Sequence, residues 1–123
     1  MKFMISFTHT TGEWADRVPR WAELSDEEKQ SVAGHLKESM DALETEQGTK
    51  MVFFDAPENA RTVRMHQDGS LDVEERALLN GTEFVGGYFI IDVESMDEAL
   101  NWAKRTRWLV GANEVREIKD PQF

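Results

Sequence analysis

Arg64 and His66 stand two residues apart in a segment, Arg61 to His66, that alternates in character. Val63 and Met65 fall on one parity; Thr62, Arg64 and His66 fall on the other. Alternation is strand periodicity. Both side chains therefore leave the same face, roughly 6.5–7 Å apart along the strand. On a covered face the arginine requires an anion. The imidazole of His66 beside it is the candidate to accept a proton. The chemistry that suits such a pair is cofactor-free proton transfer, of isomerase or lyase type. His66 or His9 is the base, Arg64 the electrophilic anchor, and Glu83 the carboxylate that orients them. His9 follows the first strand, where loops often supply site residues. Trp14 and Trp21 suit a lid over an apolar pocket, and equally a plug against the core or a subunit seam. Tyr88 either offers its hydroxyl to a cavity or packs in the core. A plainer reading uses the same residues: an edge-strand Arg and His that meet water or a second subunit, and a solvated His9.

Other chemistries are excluded or disfavoured by residue type. The chain has no cysteine, which removes disulfides, zinc thiolate sites, iron–sulfur clusters and thiol catalysis. No phosphate loop, dinucleotide glycine motif, H-E-x-x-H or G-x-S-x-G elbow occurs. The three histidines, His9, His35 and His66, are distant in sequence. Only the fold can bring them together, so metal-assisted chemistry is a weaker alternative and neither metal nor cofactor is expected. His35 flanks an apolar helix stripe and reads as a partly packed surface histidine. Lys and Arg total 14 against 24 Asp and Glu, a formal charge of -10. An acidic surface repels phosphate backbones, so no nucleic-acid partner is expected. Met1 to Phe7 lacks the apolar core of a secretory signal, and no run approaches the ~20 apolar residues of a membrane span. No membrane partner and a cytoplasmic location are expected.

The positioning elements follow from local pattern. At 123 residues the chain suits one domain over 1–123. Phe3, Ile5 and Phe7 share a parity and predict a first strand, followed by a long tryptophan-containing loop over 8–24. Ser25 with Glu28 forms a capping box, and Val32, Leu36, Met40 and Leu43 make one helical stripe ended by Gly48. Met51 to Phe54 is continuously apolar and predicts a strand covered on both faces. Asp68-Gly69 marks a hairpin turn between Arg61–His66 and a strand beginning at Leu71. Glu74 to Gly81 carries no clear period, and Asn80-Gly81 looks like a second turn. Phe84 to Val93 is the longest strand pattern, with Gly86-Gly87 marking a bulge or a close backbone approach. Ser95 with Glu98 opens a second helix, and Glu114 to Ile118 reads as a last strand. Two strand–helix–strand halves predict a ferredoxin-like α+β fold, an antiparallel sheet with both helices on one face.

Parity then predicts assembly. Val52 and Phe54 lie opposite Met51 and Phe53; Tyr88 and Ile90 lie opposite Phe89, Ile91 and Val93. Apolar residues on both parities imply that the helix-free sheet face is also covered, most simply by a second copy around a two-fold axis. The Arg64–His66 face is expected to be part of that covered surface, with a ligand cavity between the two sheets.

Three runs resemble the YCII-related (DGPF) family in order and spacing: Val85-Gly86-Gly87-Tyr88-Phe89-Ile90-Ile91-Asp92-Val93, Asp97-Glu98-Ala99-Leu100-Asn101-Trp102-Ala103, and Glu114-Val115-Arg116-Glu117-Ile118. They are similar to the family's L-G-G-Y-F-x-I-D-V, D-E-A-x-x-W-A and V-E-V-R-P-V. Met1-Lys2-Phe3-Met4 and Ala60-Arg61-Thr62-Val63-Arg64 before Asp68-Gly69 add to the likeness. The resemblance implies a ferredoxin-like homodimer, a dimeric α/β-barrel, with a ligand cleft and no assigned reaction. The D-G-P-F-A-E-T stretch falls on Glu75 to Gly81, where none of its residues is kept, whereas Glu83 matches a family glutamate. That departure predicts a different ligand or lost activity. The expected function is a homodimer binding a small organic molecule, with Arg64 suited to an anionic one. The alternative is a non-catalytic dimeric interaction module.

Overall fold

A computed structural model describes residues 1–8, 23–79, 84–107 and 111–122. His9, Trp14, Trp21, Glu83 and the Asn80-Gly81 turn lie outside the described residues. Strand β1 (Lys2–Thr8) leads to helix α1 (Asp26–Gln47) and the two-residue strand β2 (Val52–Phe53). A 3₁₀ turn (Pro57–Asn59) precedes the hairpin β3 (Thr62–Met65) and β4 (Leu71–Glu74). Strand β5 (Val85–Asp92), helix α2 (Met96–Arg105) and strand β6 (Asn113–Glu117) complete the order. The main sheet runs β2-β5-β1-β6, antiparallel throughout. Its α+β order with two helices is compatible with a ferredoxin-like fold.

Helix α1 begins and ends for the expected reasons, and α2 begins at the expected Ser95 cap. Ser25 accepts from the Glu28 backbone N–H, and Glu28 accepts in turn from that of Ser25. These contacts with Ser25 hold the Glu28 carboxyl below its ordinary value. Gly48 closes α1 in the left-handed region at φ 63°, donating to Glu44 and Leu43 carbonyls. Both helices meet one sheet face. Phe3, Ile5, Phe89 and Ile91 from the strands pack in one cluster with Leu43 from α1 and Ala99 and Trp102 from α2. Burial along the α1 stripe deepens from Val32 toward Leu43, which is wholly buried. Arg105 then joins the helices, gripping Glu46 with two nitrogens at 3.2 and 2.6 Å while lying 4.6 Å over the Trp102 ring.

The expected glycine feature occurs at Gly86-Gly87. Phe7 pairs with Gly87 but Thr8 pairs with Val85, so Gly86 is the extra residue of a bulge. At Gly87 a Cβ would collide with the Val52 carbonyl and the Phe7 ring, so β2 and β1 close on β5 only because the side chain is missing.

Two expectations are corrected. The run Met51 to Phe54 is not covered on both faces within the chain: Met51 is buried, but Val52, Phe53 and Phe54 are exposed. The reason is position, since β2 is an edge strand paired only with β5. Also, β3 and β4 form their own two-stranded sheet. The Arg64–His66 face is therefore not an extension of the helix-free face of the main sheet. That face is apolar along β2 and β5 (Val52, Tyr88, Ile90) and polar along β6, where Glu114 and Arg116 pair with each other. Among the described residues no helix is long and apolar enough to cross a membrane.

Candidate functional site

The hairpin is built by its turn. Gly69 takes φ 86°, and Asp68 accepts from both the hydroxyl and the backbone N–H of Ser70. Those two contacts hold the Asp68 carboxyl below its ordinary value, the hydroxyl contributing most. The turn sets the register Arg64 to Asp72 and Thr62 to Glu74. Opposed and diagonal side chains on one face can touch, and here they do. Arg64 Nε donates to Glu74 Oε1 at 2.6 Å, and Arg76 Nε donates to Glu74 Oε2 at 2.5 Å. Arg64 and then Arg76 hold the Glu74 carboxyl below its ordinary value. His66 Nε2 lies 2.5 Å from Asp72 Oδ2.

Arg64 and His66 are thus on one face, as their spacing predicts, but neither is buried: their side chains are 43% and 44% exposed. The anion that Arg64 requires is Glu74, on the paired strand. Sequence reasoning looked to Glu83 and passed over Glu74 and Asp72. The signal was available, because the Asp68-Gly69 turn places both carboxylates across from Arg64 and His66. The opposite face of the hairpin carries Val63, Met65, Leu71 and Val73, each more than 60% exposed.

A cavity with a volume of about 520 Å³ lies at the base of this hairpin. Phe54, Pro57 and Ala60 line it from the β2–β3 connection; Ala77, Leu78 and Leu79 line it from beyond β4, and Phe84 and Val85 from the start of β5. Two hydrogen bonds join these segments, and two more brace the stretch beyond β4. Phe54 N–H donates to the Gly86 carbonyl at 2.8 Å. Buried Thr62 donates its hydroxyl to the Arg76 carbonyl at 2.8 Å. Arg76 Nη1 donates to the Ala77 and Leu78 carbonyls. Polar groups on the lining are few: Asp55, Asn59, Arg61 and Thr62. Asp55 Oδ1 accepts from the Ala56 N–H and Oδ2 from Asn59 Nδ2.

Neither Arg64 nor His66 is among the residues lining this cavity, and Tyr88 reaches it only through a neighbour, its ring 5.8 Å from that of Phe54. Half-buried Tyr88 sits on the helix-free face opposite Val52. Exposed His35, on α1, stands apart from both hairpin and cavity lining. Arg61, Asp55 and Asn59 were missed from sequence because the loop around Pro57 has no period to assign faces. Among the described residues no group of three or more His, Asp or Glu side chains converges to hold a metal ion. Comparison with protein-family models finds no match to this chain. Comparison with curated proteins finds no match either.

Proposed function

We propose that this protein is a small-molecule-binding homodimer of YCII-like type, with its ligand held in the cavity at the hairpin base. The carrying observation is the cavity itself: about 520 Å³, walled chiefly by apolar side chains with a few polar groups. Ligand sites characteristically have this make-up, at volumes of roughly 300–1,000 Å³. The family resemblance supports the reading in a particular way. Ala77, Leu78 and Leu79 occupy the stretch where the resemblance expects D-G-P-F-A-E-T, and they line the cavity. An apolar wall in place of that stretch fits an altered, greasier ligand. Val52, Tyr88 and Ile90 on the helix-free face are the surface proposed for the second copy. The test is titration of the neutral dye Nile red into wild type and Ala77→Trp, which puts an indole on the cavity wall. Saturable binding by wild type and its loss in the variant support the reading; equal binding by both overturns it.

The hairpin favours a second reading, a non-catalytic interaction module. Val63, Met65, Leu71 and Val73 form an apolar face too exposed to serve the chain's own core. Proton transfer by His66 would use the Asp72 contact, since a carboxylate on one ring nitrogen orients an imidazole base. If that chemistry operates, replacing Asp72 by Asn lowers turnover without weakening Nile red binding.

A further inference from the structure

The geometry points to an apolar carboxylic acid as the ligand of this cavity, with Arg61 gripping the carboxylate. This rests on the reading of the cavity as a binding site and adds the chemical class of the occupant.

Arg61 is the one cation among the described residues that line the cavity. Its Nη1 donates to the carbonyl of Ala60 at 2.8 Å, and it forms no ion pair among the described residues. That single bond fixes one corner of the guanidinium beside the cavity. Arginine has five N–H donors in a planar fork, so one backbone contact leaves most of them available. The fork matches the two oxygens of a carboxylate.

The other arginines of this region are already committed. Arg64 and Arg76 share Glu74, and Arg76 also holds the carbonyls of Ala77 and Leu78. Both are engaged within the hairpin and the chain just past it. Arg61 follows the 3₁₀ turn and precedes β3, where the chain passes from the cavity wall into the hairpin.

Asp55 is the one described carboxylate on the lining, and it is engaged locally. Both its oxygens are already bonded by local donors, Ala56 N–H at 2.7 Å and Asn59 Nδ2 at 3.1 Å. The one charged donor on the lining, Arg61, keeps most of its N–H groups for an acceptor. An incoming carboxylate meets that donor, whose charge repels an ammonium. The body of the ligand meets Phe54, Pro57, Leu78, Leu79 and Phe84, which reward an aromatic or branched hydrocarbon. An apolar acid with one carboxylate satisfies both parts.

The experiment displaces Nile red from wild type with phenylbutyrate, phenylbutanol and phenylbutylamine, which share a body and differ in the head group. The acid is expected to displace the dye about tenfold better than the alcohol, the scale of a charge-assisted hydrogen bond. Arg61 is exposed, so Arg61→Gln is expected to fold. In that variant Nile red binding persists and the preference for acid over alcohol disappears; Arg61→Lys restores part of it. Equal displacement by acid and alcohol, stronger displacement by the amine, or an acid preference that survives Arg61→Gln overturns the assignment while leaving the cavity a binding site. Absence of Nile red binding, or binding that Ala77→Trp leaves intact, overturns the cavity reading and the assignment with it.

Discussion

The hydroxyl of Thr62 donates to the carbonyl of Arg76 across 2.8 Å, joining the first residue of β3 to the chain just past β4. Thr62 is buried, and both residues border the cavity region: Thr62 lines it and Arg76 bonds the wall at Ala77 and Leu78. Thr62→Val keeps the shape and removes the donor, leaving a carbonyl without its partner. The expected loss is about 1–2 kcal/mol in urea denaturation. Nile red affinity is expected to fall as well, since the wall loses its anchor.

Glu74 gives the hairpin an acid-sensitive centre. Its carboxyl is held below the ordinary value of 4.5 by Arg64 first and Arg76 second. A depressed folded-state pKa means that the stabilisation is fully present above that ordinary value. It is lost as pH falls further and protons take the folded carboxylate. Glu74→Gln should therefore be less stable than wild type at neutral pH, with the gap narrowing below about 4.5. Denaturation midpoints measured across pH 3 to 7 check the sign (roughly the window of carboxylate titration). A gap that widens in acid contradicts it.

Gly87 tests the close approach of three strands. A methyl group there meets the Val52 carbonyl and the Phe7 ring, and the former is backbone that cannot rotate away. Gly87→Ala is expected to cost about 3 kcal/mol, the upper part of the usual overpacking range. Gly34→Ala is the control, because nothing lies within 4 Å of the added carbon. That substitution should be neutral or stabilising in thermal melts, as alanine favours a helix interior.

Assembly is open to a direct measurement. Ile90 is 40% exposed on the helix-free face, opposite Met4 in the register. Ile90→Glu adds a charge that a water-facing strand tolerates and a subunit seam does not. Wild type is expected to sediment as a dimer and the variant as a monomer with a similar melting temperature. A wild-type protein that remains monomeric at high concentration removes the dimer from the proposal.

Much of the frame was legible in local pattern. Ser25, Ser95 and Gly48 mark helix ends because their reasons are local: a hydroxyl meets an N–H three residues on, and glycine tolerates positive φ. The parity of Phe3, Ile5 and Phe7 identified the core face because side chains alternate along any strand. The hairpin turn at Asp68-Gly69 was legible for the same reason. Its partners Glu74 and Asp72 were within reach of that logic, since register follows from the turn, and were passed over in favour of Glu83.

What the sequence determined by itself, then, was the kind of element in each periodic segment and the side of it that is apolar, since both depend on residues a few places apart. Only the tertiary structure decided which faces meet. It detached β3 and β4 from the main sheet, made β2 an edge, and brought Pro57, Leu79 and Phe84 around one cavity. No periodicity encodes such meetings. They depend on strand pairing and on how the 3₁₀ turn and the chain beyond β4 close on each other, contacts between residues some twenty positions apart that a local pattern does not contain.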